Sequence, residues 1–176
     1  MILDALGQTS ANWFCCLGRP LRGDELENAR AYLRALGYPD DVPIRQVQDW
    51  AAAERIVRDP QWDRAWWERE QRERERLSLL TRGRLGTDAA LDRLSAATDL
   101  AVNAIHDAAL QAGASCGGAS AALKQAASGA GAMALHEAAL AQLAGCDHGH
   151  LFVRKYRLFE SGRWPLGVVG GTFHLF

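Results

Sequence analysis

Apolar residues recur at three- and four-residue spacings over most of the chain, and the breaks in that rhythm divide it into helices. Leu26, Ala29, Leu33 and Leu36 carry the first, about 24–36, which Asp24 and Glu27 open in capping-box spacing and Gly37 closes. Pro43 suits a first helical position, and Ile44, Val47, Trp50, Ala51 and Ile56 extend a second helix to Arg58. Asp59-Pro60 repeats the start signal for a third, from Pro60 to about Arg82. Within it, five acidic and five basic residues alternate between Asp63 and Arg76, with Arg64/Glu68, Glu68/Arg72, Arg69/Glu73 and Glu70/Arg74 four apart. Such pairs add about 0.2–0.5 kcal/mol each to a solvated helix. The pattern predicts a rod anchored by Trp62, Trp66 and Trp67 at one end and Leu77, Leu79 and Leu80 at the other, wet in between.

Beyond Thr87 the chain turns small and apolar: residues 88–146 hold 22 alanines and only seven charged side chains, a composition suited to close backbone packing. Two helices fit there, split by Gly113-Ala114-Ser115-Cys116-Gly117-Gly118. In the first, Asp88, Asp92, Ser95, Asp99, Asn103 and His106 form a polar stripe opposite Leu91, Leu94, Ala101, Val102 and Ile105. The second, about Ala119–Gly145, has so few polar positions that it is expected at the centre of the fold, with a kink near Gly129-Ala130-Gly131. Phe152, Tyr156 and Phe159 share one face of a short helix over Leu151–Glu160. Gly170-Gly171 then joins Leu166–Val169 to Thr172–Phe176 as a two-residue hairpin turn. The first 23 residues lack clear periodicity, with Trp13, Phe14 and Leu17 expected to tuck against the body. The fold class is therefore mainly α: a single domain over residues 1–176 built as a bundle of about six helices with a small C-terminal β-hairpin. The composition shift near 84–87 is the one candidate subdomain boundary.

Length and charge narrow the function classes. A chain of 176 residues can bury a core without staples, and 20 basic against 21 acidic side chains, balanced along its length, leave no patch for nucleic acid or anionic lipid. No window reads as a membrane span, since the most apolar stretch contains His136, Glu137 and Gln142. Met1–Gly7 has no basic run of the kind a secretory signal needs, and Cys15, Cys16, Cys116 and Cys146 do not space as a disulfide framework. A cytoplasmic protein is expected, and 18 arginines against two lysines, with 31 alanines, indicate a GC-rich bacterial genome.

Phosphate-loop, dinucleotide, nucleophile-elbow and His-Glu-x-x-His motifs are absent from the sequence, which favours a non-catalytic interaction or assembly protein working through a protein partner or by self-association as a homodimer. Trp62, Trp66, Trp67 and Trp164 are the candidate partner-binding residues, with the aromatic C-terminal segment as a second interface. The alternative is a small helical-bundle hydrolase or metal-dependent enzyme. If the two alanine-rich helices pair antiparallel about Ser115-Cys116, His136 falls opposite Ser95, with Asp92 and Asp99 one turn to either side, a candidate base-and-carboxylate catalytic site. Cys146, His148 and His150 are the candidate zinc ligands; otherwise no cofactor is expected. A helical ligand carrier is the third class, and it requires a cavity between the alanine-rich helices.

Overall fold

A computed structural model describes residues 12–176, and the expectation for the first eleven residues lies outside that range. The order is α1 (Gly23–Ala35), β1 (Ile44–Gln46), α2 (Trp50–Val57), α3 (Arg64–Leu85), α4 (Thr87–Gly113), α5 (Ala121–Leu143), α6 (Leu151–Glu160), β2 (Pro165–Val169) and β3 (Thr172–Leu175). The mainly α class holds, with six helices among the described residues, but the hairpin is part of a three-stranded sheet. β3 lies in its middle, antiparallel to β2 and parallel to β1, with Ile44 opposite Phe173 and Gln46 opposite Leu175. Gly170 and Gly171 both take positive φ, the backbone that a two-residue turn between twisted strands requires.

Strand β1 corrects the second predicted helix. Pro43 does not open a helix; its carbonyl accepts from the Phe173 N–H at 2.8 Å, which starts the parallel pairing. The helix begins only at Trp50, where the Asp49 side chain accepts from the Ala52 N–H at 2.7 Å as its cap. A similar offset occurs at α1. The side chain that reaches back to an orphan N–H is Glu25, on the Arg22 N–H at 2.8 Å, rather than Glu27.

Helix α5 is the axis of the molecule, packed by α4, α6 and α3. Its second half, Ala134–Leu143, is buried on nearly every side, as its lack of polar positions predicts. No kink interrupts it: the helix is continuous through Gly129 and Gly131. Gly131 meets α4 so closely that a Cβ there would lie 2.8 Å from Ile105 Cγ2, and His106 Nδ1 sits 3.4 Å from Ser128 Oγ one turn further along the same antiparallel pair. Helix α4 is less covered than its composition predicts. Ala90, Ala97, Ile105 and Ala109 are buried, while Leu91, Val102 and Leu110 stay exposed, the first two being members of the expected apolar stripe.

The larger correction concerns α3. Trp66, Glu70, Leu77 and Thr81 repeat along one face and all are buried, so the charged rod is wet on three sides only. Two apolar clusters flank α5. One gathers Trp13, Phe14 and Leu17 with Trp50, Trp164 and Phe176; the other joins α1, α6 and the sheet, and Leu94 packs against both. Arg163, 1% exposed, ties the irregular N-terminal segment down by donating to the carbonyls of Cys16, Arg19 and Pro20 and to Glu25. No helix among the described residues is long and apolar enough to cross a membrane.

Candidate functional site

The buried face of α3 brings charge into the core. Glu70, 2% exposed, accepts from Tyr32 Oη at 2.5 Å on one oxygen and from Lys155 Nζ at 2.7 Å on the other. Lys155 comes from the middle of α6, where most of its neighbours on the helix are apolar and buried, and it also donates to Glu137 Oε2 of α5 at 2.9 Å. Arg74, one turn after Glu70, places Nε 3.3 Å from Glu137 Oε1. Trp66 completes the group by donating Nε1–H to Tyr32 Oη at 2.9 Å. Two carboxylates and two cations therefore balance. Burial draws the Lys155 ammonium down, but Glu70 and Glu137 more than offset it and hold the group above its ordinary value. Burial pushes the Glu137 carboxyl up, against the pull of Lys155.

Arg74 also faces outward, onto a cleft of about 260 Å³ where α3, α4 and α5 meet. Its floor is Ala90 and Leu94 of α4 with Leu140 of α5, and Leu91 stands at its exposed rim; its polar wall is Gln71, Arg74, Glu75, Ser78, Thr81 and Arg82 of α3, with His136 of α5. Thr81 and Arg74 lack ordinary partners here, Arg74 Nε making no hydrogen bond among the described residues despite its closeness to Glu137. The Thr81 hydroxyl is buried and makes no hydrogen bond among the described residues, and the outer edge of the Arg74 guanidinium donates to the Met133 thioether, at 3.5 Å. Burial, with Arg74 nearby, lowers the His136 pKa, so the imidazole is neutral at pH 7. A neutral ring, an arginine fork and a hydroxyl above an apolar floor can hold a small molecule that is polar at one end.

The structure does not assemble the predicted acid-base group. His136 lines the cleft, but Asp92, Ser95 and Asp99 lie on the exposed stripe of α4, because the apolar side of that helix turns inward. The antiparallel pairing of the two helices is as expected; the carboxylates are on the wrong face. Cys146, His148 and His150 likewise do not converge, and no cluster of three ligating side chains occurs among the described residues. His150 caps α6 instead, accepting from the Phe152 N–H through Nδ1 at 3.2 Å while Nε2 meets Glu73 at 2.8 Å. His148 is exposed.

Three of the four tryptophans expected to bind a partner are committed internally. Trp164 is buried against Trp50, Trp66 bonds Tyr32, and Trp62 packs edge-on to Trp66 and donates to the Leu166 carbonyl at 3.1 Å. Of the four, Trp67 alone is exposed. Phe173 and Phe176 of the C-terminal segment are fully buried within the chain.

Sequence reasoning missed the buried ion group and the cleft wall. Lys155 carried a usable signal: one of two lysines in an arginine-rich chain, set among the aromatic positions Phe152, Tyr156 and Phe159 of a short helix. Glu70 and Arg74 carried none, since nothing in an alternating run marks which turn faces inward. Comparison with protein-family models, with curated proteins and with solved structures finds no match to this chain.

Proposed function

We propose that the protein is a helical ligand-binding protein whose site is the cleft between α3, α4 and α5. The observation that carries this reading is the cleft itself: an apolar floor from both alanine-rich helices facing a polar wall with an unsatisfied hydroxyl and an underused arginine. Its volume lies just below the range of drug-sized sites, about 300–1,000 Å³, which favours a small ligand. The proposed setting is the cytosol of a bacterial cell, a reading supported by four free cysteines and the arginine-alanine composition. NMR of the methyl and imidazole signals of the protein with small amphiphiles of neutral, anionic and cationic head group tests it. Binders are expected to shift Leu94, Leu140 and His136 together; silence at these residues with every class would count decisively against the reading.

A second reading keeps the protein-partner expectation, moved from the tryptophans to the leucines. Leu79 is 69% exposed and Leu80 and Leu91 are also open to solvent, side chains that a partner or a second copy could cover. Sedimentation equilibrium of the protein and of Leu79→Ser separates the two readings: an assembly that dissociates on this change supports the second, a monomer in both supports the first.

A further inference from the structure

We propose that the cleft takes a monocarboxylate with a short apolar tail, the carboxylate on Arg74 and the tail over Ala90, Leu91, Leu94 and Leu140. The inference rests on the ligand-binding reading above and adds the chemical class. A guanidinium offers two parallel N–H donors in the geometry of a carboxylate, and it normally takes oxygen partners. Arg74 Nε lies 3.3 Å from Glu137 Oε1 as an ion pair without a hydrogen bond, and Nη1 rests on a thioether, which is a weak acceptor. The Nη1 side is thus free to exchange the thioether for a carboxylate while the ion pair with Glu137 stays in place. Arg82 adds a second positive charge at the wall, and the buried Thr81 hydroxyl adds a donor.

The remaining wall residues limit the charge and the shape. Glu75, held by Gln71 Nε2 at 2.8 Å, places a carboxylate on the same wall and opposes a doubly charged head group such as phosphate. His136, neutral, adds one ring donor or acceptor and no further charge. Opposite these groups the lining is aliphatic, which requires the rest of the ligand to be apolar, and the volume limits that part to a short chain or a single ring.

The test uses octanoate, octanol, octyltrimethylammonium and inorganic phosphate as probes, with dissociation constants from NMR shifts at Leu94, Leu140 and His136. Octanoate is expected to bind at least about tenfold tighter than each of the others. Arg74→Lys keeps a positive charge beside Glu137 but loses the fork, and it should weaken octanoate about tenfold while leaving octanol unchanged. Leu91→Glu at the exposed rim should weaken octanoate and strengthen octyltrimethylammonium, in a position where folding is not at stake. Octanol binding as tightly as octanoate, the ammonium binding tighter, or phosphate binding equally well would overturn the carboxylate assignment and leave the ligand-binding reading standing. No shift at the cleft with any probe would overturn both.

Discussion

Lys155 sits between two glutamates in the core, and its loss would leave both carboxylates facing each other there. Lys155→Met is therefore expected to cost about 3–5 kcal/mol, read from urea denaturation. Glu137→Gln should cost less, because an amide oxygen still accepts from Lys155 and Glu70 still balances its charge. His136 makes a different prediction. Its folded pKa lies below its ordinary value, so the folded state binds this proton less readily than the unfolded chain. Its contribution to stability is full above the ordinary histidine range and is lost as pH falls through the lower, folded value. Denaturation midpoints between about pH 7 and pH 5 should fall less steeply in His136→Gln than in the parent. Glu73 acts in the same direction further down the scale: burial raises its carboxyl, but Arg76 and His150 outweigh burial and hold it low, so its share of stability also disappears in acid. None of these environments could be read from the residue types. His136 was visible as a polar interruption in an apolar helix, but its neighbours depended on which way α4 turned.

Two glycines in α5 show how far an element's own rules reach. Both interrupt an alanine-rich helix, where alanine is intrinsically better by about 1 kcal/mol. Around Gly129 a Cβ would meet nothing within 4 Å, so Gly129→Ala should stabilise by about that amount. At Gly131 the same Cβ would lie 2.8 Å from Ile105 and 3.3 Å from Phe14, and Gly131→Ala should destabilise by about 1–3 kcal/mol through overpacking. Thermal melts of the two variants should move in opposite directions. The helices themselves were legible wherever periodicity was long, as in α3, α4 and α5. The hairpin was legible because paired glycines admit few other backbones. Strand β1 was not, since three residues beside a proline carry too little pattern, and what makes them a strand is Phe173, far along the chain.

At the scale of the molecule, the composition shift near residues 84–87 falls at Gly86, between α3 and α4, yet side chains cross it. Leu94 packs on both apolar clusters, and Arg84 Nη1 donates to the Leu143 carbonyl. The melting of tryptophan fluorescence and of helical circular dichroism should accordingly coincide, because Trp50 and Trp164 in one cluster and Trp66 in the other report the same event. Two separated transitions would mean that the clusters fold independently. The sequence conveyed that alanine would fill the interior, and this holds for the second half of α5. It did not convey that charge would join it, since a neutral quartet of ions depends on three helices meeting at one point.

The middle position of β3 has a consequence for synthesis. Ile44–Gln46 must wait for Phe173–Leu175 before they have a partner, and β2 waits with them. At ribosomal speeds of about 5–20 residues per second, that gap is on the order of ten seconds. For that time Val47 and Trp50, both buried in the finished fold, belong to a nascent chain that cannot yet close over them. Such an interval invites a chaperone, and arrested chains ending before Thr172 should be cut by protease at Pro43–Trp50 more readily than the completed protein, in which β1 is paired with β3 and Val47 and Trp50 are buried.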